Sequence, residues 1–144
     1  MGNPTKLRLN RNSISDQVTS TLNAQKQINQ NYKIIVTGHS LGGALASMAS
    51  ASLVGLGNNI TTYTLGQFRT GNPAYANYID SIQPPDKMFR ITHNNDGVPQ
   101  TLSVSQGYRH HSSEYWELDP FSAGNTQRCT GQEPQVGIEE ESCY

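Results

Sequence analysis

The chain has 144 residues, 15% of them charged, and a formal net charge of −1; this is enough for one compact domain, and so near-neutral a balance gives no electrostatic case for nucleic acid or an anionic membrane. No apolar run approaches the roughly 18 residues of a membrane span. Met1-Gly2-Asn3-Pro4-Thr5-Lys6 has neither the apolar core of a signal peptide nor the Ser or Thr that a myristoylation motif needs where Lys6 stands.

Lys6, Arg8 and Arg11 form the only basic cluster and read as solvated tail charges. From Ser13, the spacing of Ile14, Val18 and Leu22 predicts an amphipathic helix to about Ile28, with Ser13 as N-cap and Asp16 three residues later. Asn29-Gln30-Asn31 ends it. Lys33 to Thr37 contains the β-branched run Ile34-Ile35-Val36, the pattern of a strand buried on both faces of a parallel sheet. Leu41 to Leu53 is almost entirely Gly, Ala, Ser, Leu and Met, a helix that can lie close on a sheet. Gly55, Gly57, Asn58 and Asn59 read as C-cap and loop, Ile60 to Leu65 as the next strand, and Pro73 to Ile82 as a short helix. Pro84-Pro85-Asp86 turns the chain into a strand from Met88 to Thr92. Beyond Gly97 the one clear signal is a strand over Ser113 to Leu118, and Glu139-Glu140-Glu141 is a solvated acidic run. The alternation of helix and strand predicts an α/β fold, a mostly parallel central sheet with flanking helices and right-handed crossovers.

Between the first strand and the second helix stands Gly38-His39-Ser40-Leu41-Gly42. A serine hydroxyl is a poor nucleophile unless a sharp strand-to-helix turn exposes it and a neighbour takes its proton, and glycine on both sides permits such a turn. Ser40 is the candidate nucleophile, and the backbone N–H of Leu41 is the natural first donor to an oxyanion. Active sites in such sheets form at the carboxyl ends of strands, and His93-Asn94-Asn95-Asp96 follows another of them. Asp96 is the candidate acid; its alternative is an Asx-type turn residue. With partners in the order serine, acid, histidine, the candidates for base are His110 and His111, the two histidines downstream of Asp96. No upstream segment offers a second oxyanion donor. Neither HExxH nor CxxC occurs, so no metal or cofactor is implied.

Cys129 and Cys143 lie in the polar C-terminal stretch, where a bridge between them would tie down a loop; free thiols or other partners remain equally open. Asn59-Ile60-Thr61 is a glycosylation acceptor pattern that matters only in a secreted chain.

Tyr32 to Ala46, with its Gly38-His39-Ser40-Leu41-Gly42-Gly43 core, resembles the nucleophile region of the fungal class 3 lipases, a group of secreted triacylglycerol lipases and feruloyl esterases. Leu65-Gly66-Gln67-Phe68-Arg69-Thr70-Gly71-Asn72, Arg90 to Pro99 around Asp96, and Gly107-Tyr108, His110 and Glu114-Tyr115-Trp116 are similar to further blocks of that family. Asn125-Thr126 and Cys129-Thr130-Gly131 lean towards its feruloyl-esterase-like branch. The resemblance covers residues 13–131 as a partial domain truncated at both ends, its C-terminal half. Residues 1–12 and the acidic tail 132–144 are unmatched. It implies an α/β-hydrolase fold, Ser40 as nucleophile, Asp96 as triad acid, the Leu41 amide in the oxyanion hole, and secretion. In the family the catalytic histidine follows the cysteine-containing region, and none follows it here, which moves the role away from His110.

The expected function is therefore carboxylic-ester hydrolysis, on lipid or aromatic esters through an acyl-enzyme at Ser40, with no cofactor, nucleic acid or membrane anchor. Loss of the base costs such a site on the order of 10⁶-fold in turnover. The alternative is a catalytically inactive relative acting as a binding module, and the apolar edge of the Ile34–Val36 strand invites self-association.

Overall fold

A computed structural model of the chain describes residues 13–120 and 122–133. The chain divides into two compact units, one ending at Tyr32 and one beginning at Lys33. The first contains α1 (Ile14–Ile28), which starts where the cap chemistry places it: the Ser13 hydroxyl accepts the Asp16 amide at 3.1 Å, and Lys26 sits in the last turn. None of its residues is buried.

The second unit is built on a five-stranded sheet in the order β1 (Ile34–His39), β2 (Ile60–Leu65), β3 (Met88–His93), β4 (Glu114–Glu117) and β5 (Thr126–Cys129). The first three pairings are parallel and the last is antiparallel. Helix α2 (Leu41–Gly55) crosses from β1 to β2 and packs on both, and α3 (Pro73–Ile82) crosses from β2 to β3. Asn72 caps α3, its side chain accepting the Tyr75 amide at 3.0 Å, with Pro73 in the first turn.

The predicted bounds of β2 and α3 match the structure, and β1 and β3 run slightly further towards the site than the pattern indicates. Two features differ from the sequence reading. First, β1 is not buried on both faces: its side chains alternate between half-buried and exposed, with Ile35 58% exposed, and it pairs only with β2 among the described residues. Second, β5 gives no hydrophobic signal because Thr126, Gln127 and Arg128 are exposed; it holds through its antiparallel ladder to β4 and the buried Cys129. Cys129 is in a disulfide. Cys143, the glutamate run 139–141 and the basic cluster Lys6, Arg8 and Arg11 lie outside the described residues.

The core explains the small-residue composition of α2. Ala44, Ala46, Ala51 and Leu53 are buried against Ile60, Ala76, Ile79 and Met88, and Ser47 and Ser50 are fully buried among them. Hydroxyls can be buried there because each is bonded: Ser50 Oγ meets Thr62 Oγ1 at 2.5 Å, and Gln83 Nε2 donates to Thr62 Oγ1 at 3.0 Å. Among the described residues, no helix is long and apolar enough to cross a membrane.

Candidate active site

Ser40 stands between the last residue of β1 and the first of α2, with φ 54° and ψ −121°. A non-glycine residue at such a φ stores on the order of 1–3 kcal/mol, which the surrounding structure must hold. Three contacts hold it here. The Ser40 amide donates to the Leu65 carbonyl at 2.9 Å, and its own carbonyl accepts the Gly43 and Ala44 amides at 2.9 and 3.3 Å. The sharpness of the turn depends on Gly38, because a Cβ there would lie 2.0 Å from the Gly42 carbonyl oxygen and 2.9 Å from the Gly43 nitrogen. Gly42, the second glycine of the motif, has open space where its Cβ would be. Leu41 begins α2, ahead of the helix's own hydrogen-bond ladder, so its N–H is a donor at the positive end of the helix beside Ser40.

Asp96 lies in the turn after β3, at the same carboxyl end of the sheet. Its Oδ1 accepts the Val98 amide at 2.9 Å, an Asx turn, and its amide donates to the His93 carbonyl at 2.9 Å. The Asx reading and the acid reading thus concern different oxygens, since Oδ2 faces Gly66, 3.2 Å from where a Cβ of that residue would stand. Gly66, at φ 55°, follows the residue whose carbonyl holds the Ser40 amide. The Leu65–Gly66 step therefore joins the turn carrying Ser40 to the turn carrying Asp96. The ring of His39 also faces Gly66, its Nε2 3.7 Å from the same Cβ position.

The Asp96 turn is pinned from β4. Asn94, at φ 35°, donates its amide to the Glu117 carbonyl at 2.7 Å, accepts Trp116 Nε1 at its carbonyl at 3.0 Å, and reaches Asp119 Oδ2 with its side chain at 2.5 Å. Deeper in the structure, Arg69 Nη1 donates to the Gln100 carbonyl at 2.7 Å while its Nε meets Glu133 Oε2 at 2.7 Å, and both charged side chains are buried. Sequence reasoning missed this pair because its members are 64 residues apart and nothing local links Arg69 to Glu133.

The two histidines proposed as base lie in the core. His110 is 2% exposed and donates from Nε2 to the Pro99 carbonyl at 2.8 Å, while its amide donates to Glu133 Oε2 at 3.1 Å. That hydrogen bond fixes the Nε2–H tautomer and leaves Nδ1 bare and buried without a partner among the described residues. Burial first, and the charge of Arg90 second, push its pKa well below the ordinary value. His111 is fully buried, and the same two causes lower its pKa to about 3. Its Nε2 faces Ser47 Oγ at 2.9 Å and the Gln67 side-chain amide nitrogen at 3.1 Å. Because that nitrogen only donates, Nε2 is the acceptor; Nδ1 carries the proton and donates to Ser112 Oγ at 3.0 Å, which donates to Asp80 Oδ1 at 2.8 Å. Tyr75 completes the web at Ser47, 2.8 Å away. Among the described residues, no hydrogen bond joins any of the four histidines to Ser40.

A strained serine at a strand-to-helix turn, with a carboxylate over the next strand end, has the local geometry of a nucleophile elbow. The family model "Lipase (class 3)" matches residues 5–105. The chain belongs to the class 3 lipase family. A secreted mono- and diacylglycerol lipase of Fusarium solani is 40% identical over 103 residues, 72% of this chain and 30% of the relative. The solved triacylglyceride lipase of Rhizomucor miehei superposes with a TM-score of 0.76 at 34% identity, over 84% of this chain and 47% of that one. A triacylglycerol lipase whose catalytic centre is described as a serine protease triad superposes with a TM-score of 0.74 at 33% identity, over 84% and 48%. The lipase-family chain thus has the α/β-hydrolase fold over the matched region, and spans about half the length of these solved chains and about a third of the curated relative.

Proposed function

We propose that this chain carries the nucleophile, acid and first oxyanion donor of a serine carboxylic-ester hydrolase. Ser40 attacks the ester carbonyl, the Leu41 N–H receives the developing oxyanion, Asp96 Oδ2 orients an imidazole, and the acyl group passes to Ser40 before water removes it. The substrates are lipid or aromatic esters, in keeping with the acylglycerol lipases it resembles, and the chain acts outside the cell as the secreted relatives do. The observation that carries the reading is the φ of 54° at Ser40, held at the sharp turn between β1 and α2 that Gly38 permits.

His110 and His111 are structural groups in this account. Each has its ring spent on a neighbour in the core, and burial keeps both neutral where a base must accept a proton. The imidazole that Asp96 orients is neither His110 nor His111, and supplied imidazole should accelerate turnover. Release of p-nitrophenol from p-nitrophenyl butyrate, with and without added imidazole, tests this against Ser40→Ala. Imidazole-dependent release above the Ser40→Ala background is expected; identical rates in both proteins overturn it. The exposed Ile35, Leu41, Leu45 and Met48 beside the edge of β1 support self-association of the isolated chain, seen as concentration-dependent light scattering.

A further inference from the structure

Asn59-Ile60-Thr61 is the only Asn-x-Ser/Thr triplet in the sequence whose middle residue is not proline, since Asn3-Pro4-Thr5 is excluded by its proline. The structure separates two adjacent asparagines in the link between α2 and β2. Asn58 is buried, its Nδ2 donating to the Leu53 carbonyl at 2.9 Å, and so closes the end of α2. Asn59 points the other way: it is exposed, and it precedes the β-ladder, whose first pair is Ile34 with Ile60. Its amide is therefore outside both the helix and the sheet.

The location matters as much as the exposure. Asn59 lies at the amino end of β2, whereas Ser40 lies at the carboxyl end of the neighbouring β1. The six residues of a strand and the fifteen of α2 both put about 20 Å between the two ends. A bulky polar group at Asn59 leaves the candidate active site open. The disulfide at Cys129 is a second, independent sign that the chain matures in an oxidising compartment, where such groups are attached.

We propose that Asn59 is an N-glycosylation site, carrying one oligosaccharide at the end of the sheet opposite Ser40. The donor is a polyprenyl-diphosphate-linked oligosaccharide. The Asn59 Nδ2 forms a bond to the anomeric carbon and gives up one proton, and the bond from that carbon to the diphosphate oxygen breaks, its electron pair leaving with the polyprenyl diphosphate. Thr61 supplies the hydroxyl that the acceptor pattern requires. Transfer precedes the pairing of β2 with β1, because Thr61 is registered against Ile35 once the sheet has formed. The proposal rests on the secretory reading but not on catalysis, so inactivity towards esters leaves it standing.

The full chain, produced in a yeast host behind a cleavable secretion leader, tests it by intact mass before and after peptide-N-glycosidase, in both medium and cell fractions. Leader removal reports entry into the secretory lumen. The expected result is a single glycan on the leader-free chain, absent from Asn59→Gln and from Thr61→Ala and retained by Thr61→Ser. A leader-free chain at bare polypeptide mass overturns the proposal, as does a glycan that persists in Asn59→Gln.

Discussion

Lowering the pH should weaken this fold through His111, and the size of the effect can be worked out. The folded chain holds its imidazole at about pKa 3, by burial and then by the charge of Arg90, whereas the unfolded chain restores the ordinary value of 6.5. Between these values the unfolded state binds a proton that the folded state refuses, so stability rises with pH across that window and falls as the solution is acidified from about pH 6.5 towards 3. At about 1.36 kcal/mol per pH unit the whole window is worth about 5 kcal/mol, and about 2 kcal/mol is gone by pH 5. His110, shifted in the same direction, adds to the loss. The assay is urea unfolding at pH 7.5 and 5.0, for the wild type and for His111→Gln, which keeps an acceptor for Ser47 but does not titrate. With a slope of about 2 kcal/mol per molar urea for a chain this size, the His111 share moves the midpoint by about 1 M. His111→Gln should be the less stable protein at pH 7.5 yet lose about 2 kcal/mol less on acidification. Equal losses in the two proteins would refute the argument, because the carboxylates common to both cannot account for a difference.

Two further predictions concern backbone and charge. Gly38→Ala forces a methyl into the Gly42 carbonyl and should cost at least about 3 kcal/mol in urea unfolding, whereas Gly42→Ala meets open space in a helix and should gain about 0.5–1 kcal/mol. Arg69→Met leaves the buried Glu133 carboxylate without its cation and should cost about 3–5 kcal/mol, while the double variant Arg69→Met/Glu133→Leu should recover most of that; equal stability of single and double variants would show that the orphaned carboxylate carries no penalty.

What was legible in the sequence was what local chemistry determines. Ser13 marks a helix start because the orphan amides of a first turn need an acceptor, Pro73 marks another because it has no amide to leave unpaired, and the β-branched, Thr-rich run of β2 has no helical period. Ser40, its flanking glycines and Asp96 were readable because an elbow and an Asx turn each lie within a few residues. Long-range pairings were not readable. That β1 would be half-exposed rather than buried on both faces depends on what packs over it in space, and the polar strand β5 exists only through its antiparallel partner. The two histidines show the same limit: chain order allowed His110 and His111 as the base, but in three dimensions Pro99 engages Nε2 of the first, Ser47 and Gln67 engage Nε2 of the second, and both rings are buried in the core. Gly66, which lets the Asp96 carboxylate sit over the strand end that holds Ser40, was visible as part of the Leu65–Asn72 block, but its place between the two turns was not.

The central claim is that Ser40 is a nucleophile presented by the fold, and intact mass after exposure to a fluorophosphonate, with imidazole supplied, tests it most directly. The account predicts a single adduct that maps to Ser40, is absent from Ser40→Ala and is retained when His110 or His111 is replaced by glutamine in a protein that still unfolds cooperatively. An adduct that survives Ser40→Ala, or a cooperatively folded wild type that takes none, would contradict it.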